Sequence, residues 1–243
     1  MIANQTPFGY DERYKFTGKE RDDETGYDYF GARYYTSSLS GWLSPDPIMD
    51  IYPSYNPYMY CMGNPVKITD LNGWGDPLTV MRVRRMLYSN TFGMVRHYPD
   101  GSLKAHQGID YYAAEGTPVM AVKSGVIVGC DIEGIGDYGK TITLQFVNDE
   151  GNTAWAFYSH LSEIDVDIND NVSEGDIIGK TGTTGNARNM VGDEQHLHFE
   201  YRTGGSKLGR GLKGREDPNI IVDTKFERDP SNENKVKYQE VGL

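Results

Sequence analysis

Cysteine is scarce in this chain, with two in 243 residues, Cys61 and Cys130. So far apart, they make neither a disulfide framework nor a cysteine-type zinc site. No apolar run approaches the roughly 20 residues of a membrane helix. The first ten residues, Met1 to Tyr10, have neither the basic start nor the apolar stretch of a signal peptide. Positive charge is short as well: 24 Lys and Arg stand against 35 Asp and Glu. Between residues 100 and 203 the balance is six basic to 17 acidic, which repels a phosphate backbone and argues against nucleic acid as a partner. The basic run Arg82-Val83-Arg84-Arg85 is short and reads as a solvated connector.

What is present divides the chain into unlike parts. Ten of the 18 tyrosines fall in the first 60 residues, among Gly and Pro and with few aliphatic residues. Aromatic runs of three to six residues between turn signals predict short β-hairpins, a fragment that needs neighbouring strands to cover it. From about residue 100 the texture becomes aliphatic and β-branched. Val119–Val122, Gly125–Cys130, Thr141–Val147, Thr153–Tyr158, Asp176–Gly179 and His196–Tyr201 are separated by Gly-, Asn- and Asp-rich turns. Short strands at this spacing predict an antiparallel all-β domain, sandwich or barrel-like. Val80–Ser89 is the one helical candidate, a short one. The expected layout is a Tyr-rich fragment over 1–78, a linker with a short helix over 79–90, the β domain over 91–222 and a polar tail over 223–243 whose last dozen residues fray.

The five histidines, His97, His106, His160, His196 and His198, can be audited completely. His196 and His198 lie two apart in a β-type run, so both imidazoles share one face while Leu197 and Phe199 take the other. Burying two imidazoles together is costly unless a metal satisfies one and organises the other. His106-Gln107-Gly108-Ile109-Asp110 adds an imidazole and a carboxylate at even spacing, with Gly108 permitting close backbone approach. Two imidazole nitrogens and a carboxylate oxygen suit zinc with a fourth position for water, whose pKa falls to about 7 on the metal. Two more histidines then remain for proton transfer and oxyanion stabilisation. His97 reads as a loop residue.

Residues 91–203 resemble the LytM/lysostaphin-type zinc metallopeptidases. The motifs occur in order: Phe92-Gly93-Met94-Val95-Arg96, His106-Gln107-Gly108-Ile109-Asp110, Gly116-Thr117-Pro118-Val119, Tyr138-Gly139-Lys140, Tyr158-Ser159-His160-Leu161, Thr181-Gly182-Thr183-Thr184-Gly185 and His196-Leu197-His198-Phe199-Glu200. The resemblance implies a mainly-β, antiparallel peptidase domain of the duplicated-hybrid-motif type. It implies that His106, Asp110 and His198 hold one zinc ion and that His160 and His196 are the catalytic pair. The implied substrate is the peptide of bacterial peptidoglycan. Arg96 either binds substrate or braces the site through an ion pair, and Tyr138 is a second substrate-binding candidate. The segment from Asn186 to Glu194, longer and more acidic than a minimal family loop, reads as a groove wall or as a solvated loop.

Residues 13–77 resemble the end of an Rhs/YD-repeat shell. The matching residues are Tyr14 to Asp22, Gly31-Ala32-Arg33-Tyr34-Tyr35, Trp42-Leu43-Ser44-Pro45-Asp46-Pro47, Asn56-Pro57-Tyr58 and Asn64-Pro65-Val66. That resemblance implies a polymorphic toxin whose C-terminal module is the effector, exported by a specialised route, acting at the cell wall or in the periplasm, and matched by an immunity protein. The boundary Asp70-Leu71-Asn72-Gly73-Trp74 lacks the proline of the family's release motif. Two other readings compete with the enzyme. One is a degenerate binding module that activates other wall hydrolases, which predicts lost metal ligands. The other is a shell or adhesion fragment carrying a passenger domain.

Overall fold

A computed structural model describes residues 20–22, 24–29, 34–36, 38–44 and 76–239. The chain divides into two units, Met1–Gly73 and Trp74–Leu243. In the first unit the described residues form a four-stranded antiparallel sheet of β1 (Glu20–Arg21), β2 (Asp28–Tyr29), β3 (Tyr34–Thr36) and β4 (Gly41–Trp42). Tyr35 and Trp42 are buried and meet edge to face, 5.8 Å between ring centres. The shell motifs at 14–19, 31–33, 45–47, 56–58 and 64–66, and the boundary at 70–74, lie outside the described residues.

The second unit is built from β5 (Gly93–His97), β6 (Leu103–His106), β7 (Ile109–Tyr112), β8 (Pro118–Met120), β9 (Gly125–Asp131), β10 (Lys140–Val147), β11 (Thr153–Ile164), β12 (Asn171–Val172), β13 (Ile177–Thr181), β14 (His196–Arg202), β15 (Arg215–Glu216), β16 (Phe226–Arg228) and β17 (Val236–Tyr238). The main sheet runs β12-β9-β10-β11-β13-β8, with β14 joining β11 to β7 and β15, all antiparallel. Among the described residues helix is limited to short 3-10 turns, so the chain is mainly β as expected. None is long and apolar enough to cross a membrane.

Period-two patterning explains the core. Leu197, Phe199 and Tyr201 of β14 stand on one face with Ile109 and Tyr111 of β7, all buried. The other face of the same strands carries His196, His198, Glu200 and Asp110, also buried. A strand buried on both faces, with one face polar, commits that face to a satisfied network.

Two expectations give way here. Residues 79–90 are neither a connector nor an α-helix. Val83 bridges Tyr111, Tyr112 N–H donates to the Arg82 carbonyl at 2.7 Å, and Leu78, Met81 and Val83 are buried. Edge pairing with β7 outweighs the helical spacing, and positive φ at Arg85 (55°) and Met86 (50°) leaves only the 3-10 turns Arg84–Met86 and Tyr88–Asn90. The tail is ordered as far as it is described: β16 and β17 form a hairpin whose Phe226 and Val236 enter the core.

Candidate metal centre

The long strand β11 changes neighbours at one residue. Its first part, Trp155–Ser159, pairs with β14, and its last part, Leu161–Ile164, pairs with β13. His160 stands between the two at φ 63°, opposite a register shift in β10, with its N–H on the Tyr138 carbonyl at 2.9 Å. Such a bulge redirects a side chain out of the strand's alternation. The His160 ring centre lies 5.0 Å from that of His196 and 6.1 Å from that of His198.

Register supplies the rest. Asp110 of β7 is directly opposite His198 of β14, and His198 is opposite Ser159 of β11. His106 closes β6 four residues earlier, and Gly108 allows the intervening turn to pass the Phe199 carbonyl, where a Cβ would collide with backbone. Three donor atoms meet as a result. His106 Nε2 is 3.0 Å from Asp110 Oδ1, His198 Nδ1 is 2.8 Å from the same oxygen, and the two nitrogens are 3.3 Å apart.

The outer atoms of these ligands are also engaged. His106 Nδ1–H donates to the Thr91 carbonyl at 2.7 Å, and His198 Nε2 lies 3.2 Å from Glu200 Oε1. Both nitrogens of both rings therefore face oxygen acceptors. Protons alone would satisfy them only as two imidazolium ions in contact, 3.3 Å apart. One cation satisfies all three inner atoms with both rings neutral and oriented by their outer bonds. Ligands about 2.0–2.1 Å from a tetrahedral zinc lie about 3.3 Å from one another. The observed sides of 2.8, 3.0 and 3.3 Å fit one face of such a tetrahedron. His106, Asp110 and His198 can thus bind a metal, and they are the one such group among the described residues.

Charge shapes each group. Burial pushes the His160 imidazole down to about 3, helped by its neighbours His198 and His196. Burial lowers His106 and His196 as well. His198 is raised: burial opposes its charge, but hydrogen bonds with Asp110 and Glu200 prevail. Asp110 is held well below the usual carboxylate range because His106 and His196 outweigh its burial. His160 and His196 are consequently neutral bases at pH 7. Each gives Nδ1–H to a carbonyl, that of Thr184 at 3.0 Å and that of Glu194 at 2.8 Å, which leaves Nε2 to handle a proton.

Arg96 braces the site. Its Nη2 is 2.6 Å from Asp110 Oδ2 and its Nε donates to the Ser89 carbonyl at 2.9 Å. The Tyr138 hydroxyl lies 2.9 Å from Glu200 Oε1 and 2.8 Å from Gln107 Oε1, so it supports the acceptor behind His198. Glu200 is fully buried, and its Oε2 takes Arg202 Nε and Arg215 Nε at 2.7 Å each. The segment 186–194 carries the Glu194 carbonyl that orients His196, and so belongs to the site. His97 is the exposed last residue of β5. Sequence reasoning missed Arg84, Asn90, Arg202 and Arg215. Arg84 Nη2 is 3.3 Å from Asp110 Oδ2, in the run expected to be solvated.

Residues 104–209 match the model for Peptidase family M23. The glycyl-glycine endopeptidase ALE-1 of Staphylococcus capitis is 36% identical over 99 residues, 40% of this chain and 25% of its own. The DD-carboxypeptidase/endopeptidase Mpg of Neisseria meningitidis is 33% identical over 133 residues, 55% and 27% of the two chains. The peptidoglycan DD-endopeptidase ShyC of Vibrio cholerae is 32% identical over 130 residues, 53% and 26%. The chain spans about a quarter of the length of these relatives.

Proposed function

We propose that the second unit is a zinc-dependent endopeptidase that hydrolyses stem or cross-bridge peptides of bacterial peptidoglycan. His106, Asp110 and His198 are its zinc ligands, and His160 and His196 its proton-handling pair. The observation that carries this reading is the triangle of three donor atoms with two neutral imidazoles beside it. The named activities of ALE-1, Mpg and ShyC, all endopeptidases, support the substrate class. All five metal and catalytic positions carry the residues an active enzyme requires, which favours it over a degenerate binding module.

A zinc ion at this centre supplies Lewis-acid polarisation of the scissile carbonyl and eases ionisation of the attacking water. The protein's own groups do the rest. Held through Nδ1, His160 and His196 present Nε2 to the reacting atoms. One removes the water's proton at Nε2, steadies the developing oxyanion as the imidazolium so formed and returns the proton to the leaving amine. The other accepts the water's second hydrogen at Nε2 and orients the attack. The Thr91 carbonyl and Glu200 keep the ligand rings in the required tautomers.

The motifs of residues 13–77 extend this proposal to an Rhs-type polymorphic toxin, with the peptidase as effector, a specialised export route and an immunity protein as partner. Zymography on purified cell wall tests the enzymatic part. Clearing is expected to vanish with EDTA, to return with zinc, and to be lost in His198→Ala. Clearing that persists under EDTA and in that variant contradicts it.

A further inference from the structure

We propose that Arg84 is a positioning residue of this centre, a single guanidinium that ties Asp110 to the loop orienting His196. The backbone places it there. Val83 bridges Tyr111 in antiparallel sense, so Arg84 falls opposite Asp110 on one edge of β7 while His198 lies opposite it on the other. Arg84 Nη2 is 3.3 Å from Asp110 Oδ2 and donates to Asn90 Oδ1 at 2.8 Å. Nη1 is 3.6 Å from Glu194 Oε2 and 3.8 Å from Met190 Sδ, both in the loop before β14.

Its neighbours each do half of this. Arg96 shares Asp110 Oδ2, and Arg85 holds Glu194 Oε1 at 2.6 Å, but among the described residues only Arg84 pairs with both carboxylates. Buried Asn90 locks the arrangement, taking Arg84 and Arg96 on Oδ1 and giving Nδ2 to the Arg84 carbonyl at 2.7 Å. With Oδ2 occupied by guanidinium, Asp110 turns a single oxygen toward the imidazoles. Glu194 is held by its side chain while its carbonyl takes His196 Nδ1–H at 2.8 Å. A planar fork can span two carboxylates in this way, whereas a neutral stem cannot. Arg84 precedes the stretch matched by the family model, which begins at residue 104.

The Asp110 half of this proposal rests on the metal reading above; the loop half does not. Two variants of the full chain separate them: Arg84→Met keeps the stem and loses the fork, and Glu194→Gln releases only the loop. Zinc affinity is measured by chelator competition, and amide exchange is measured on the metal-free protein. Arg84→Met is expected to weaken zinc binding about 10-fold. It should also speed exchange of the Glu194 and Gln195 amides about 3-fold, the size of a lost part-exposed ion pair. Protection in β10 and β11 should stay unchanged. Glu194→Gln should speed the same loop amides and leave zinc affinity within about twofold. If Arg84→Met also loses β10–β11 protection, Arg84→Lys replaces it with the same readouts. In a wild-type chain that binds zinc, either readout unchanged in the Arg84 variant overturns the proposal. A wild-type chain that binds none overturns the metal reading instead, and loop exchange alone then decides the hold of Arg84 on the loop.

Discussion

His198 Nε2 lies 3.2 Å from Glu200 Oε1, and the opposite nitrogen of the same ring is 2.8 Å from Asp110 Oδ1. The imidazole is thus strung between two carboxylates two and 88 positions away in sequence. Glu200 sits in turn under two arginines, so its charge is balanced from both sides.

Glu200→Gln should therefore act twice. The buried guanidinium groups of Arg202 and Arg215 lose their shared counter-charge, at a cost of about 3–5 kcal/mol. His198 loses its charged acceptor, which should weaken metal binding about 10–100-fold. Denaturant unfolding and chelator competition measure the two separately. A stable variant of wild-type affinity contradicts the role assigned to Glu200.

His160 combines a positive φ with a base. Asparagine tolerates the left-handed region better than other non-glycine residues. His160→Asn should keep stability within about 1 kcal/mol and lower hydrolysis about 10²–10⁴-fold. Thermal unfolding and turnover of a soluble wall peptide check both halves. Full activity in this variant removes His160 from the catalytic pair.

How much of this was legible in the sequence follows from the range of each signal. Alternation along β14 put His196 and His198 on one face, because a two-residue period needs no tertiary information. Gly108 announced the close approach to β14 through its missing side chain. Arg84 could not be read, since a charge run looks solvated until pairing across β7 turns one member inward. The C-terminal hairpin stayed hidden for a related reason. Phe226 and Val236 are isolated apolar residues among charges, and only their docking into the core makes them informative. The partner change of β11 at His160 depends on where β13 and β14 diverge, which no local pattern encodes.

Asp76 fastens the start of the second unit to its C-terminal part. Its carboxylate accepts the Asp223 and Thr224 amides at 3.0 Å each and the Thr224 hydroxyl at 2.5 Å. Burial pushes its carboxyl up to about 7 against these bonds. The folded form then keeps a proton that the unfolded chain gives up near pH 4, so stability falls as pH rises from about 4 to about 7. The expected fall is on the order of 1–2 kcal/mol for this part-buried group. Asp76→Asn should flatten that slope in denaturant unfolding followed across this pH range. An unchanged slope assigns the pH dependence elsewhere.

Metal content of the purified, folded chain tests the convergence of His106, Asp110 and His198 most directly. Elemental analysis after zinc loading and desalting should find roughly one zinc per chain. EDTA should remove it, and His106→Ala, Asp110→Ala or His198→Ala should each abolish it. A folded wild-type chain that retains no zinc, or an equal zinc content in all three variants, contradicts the account.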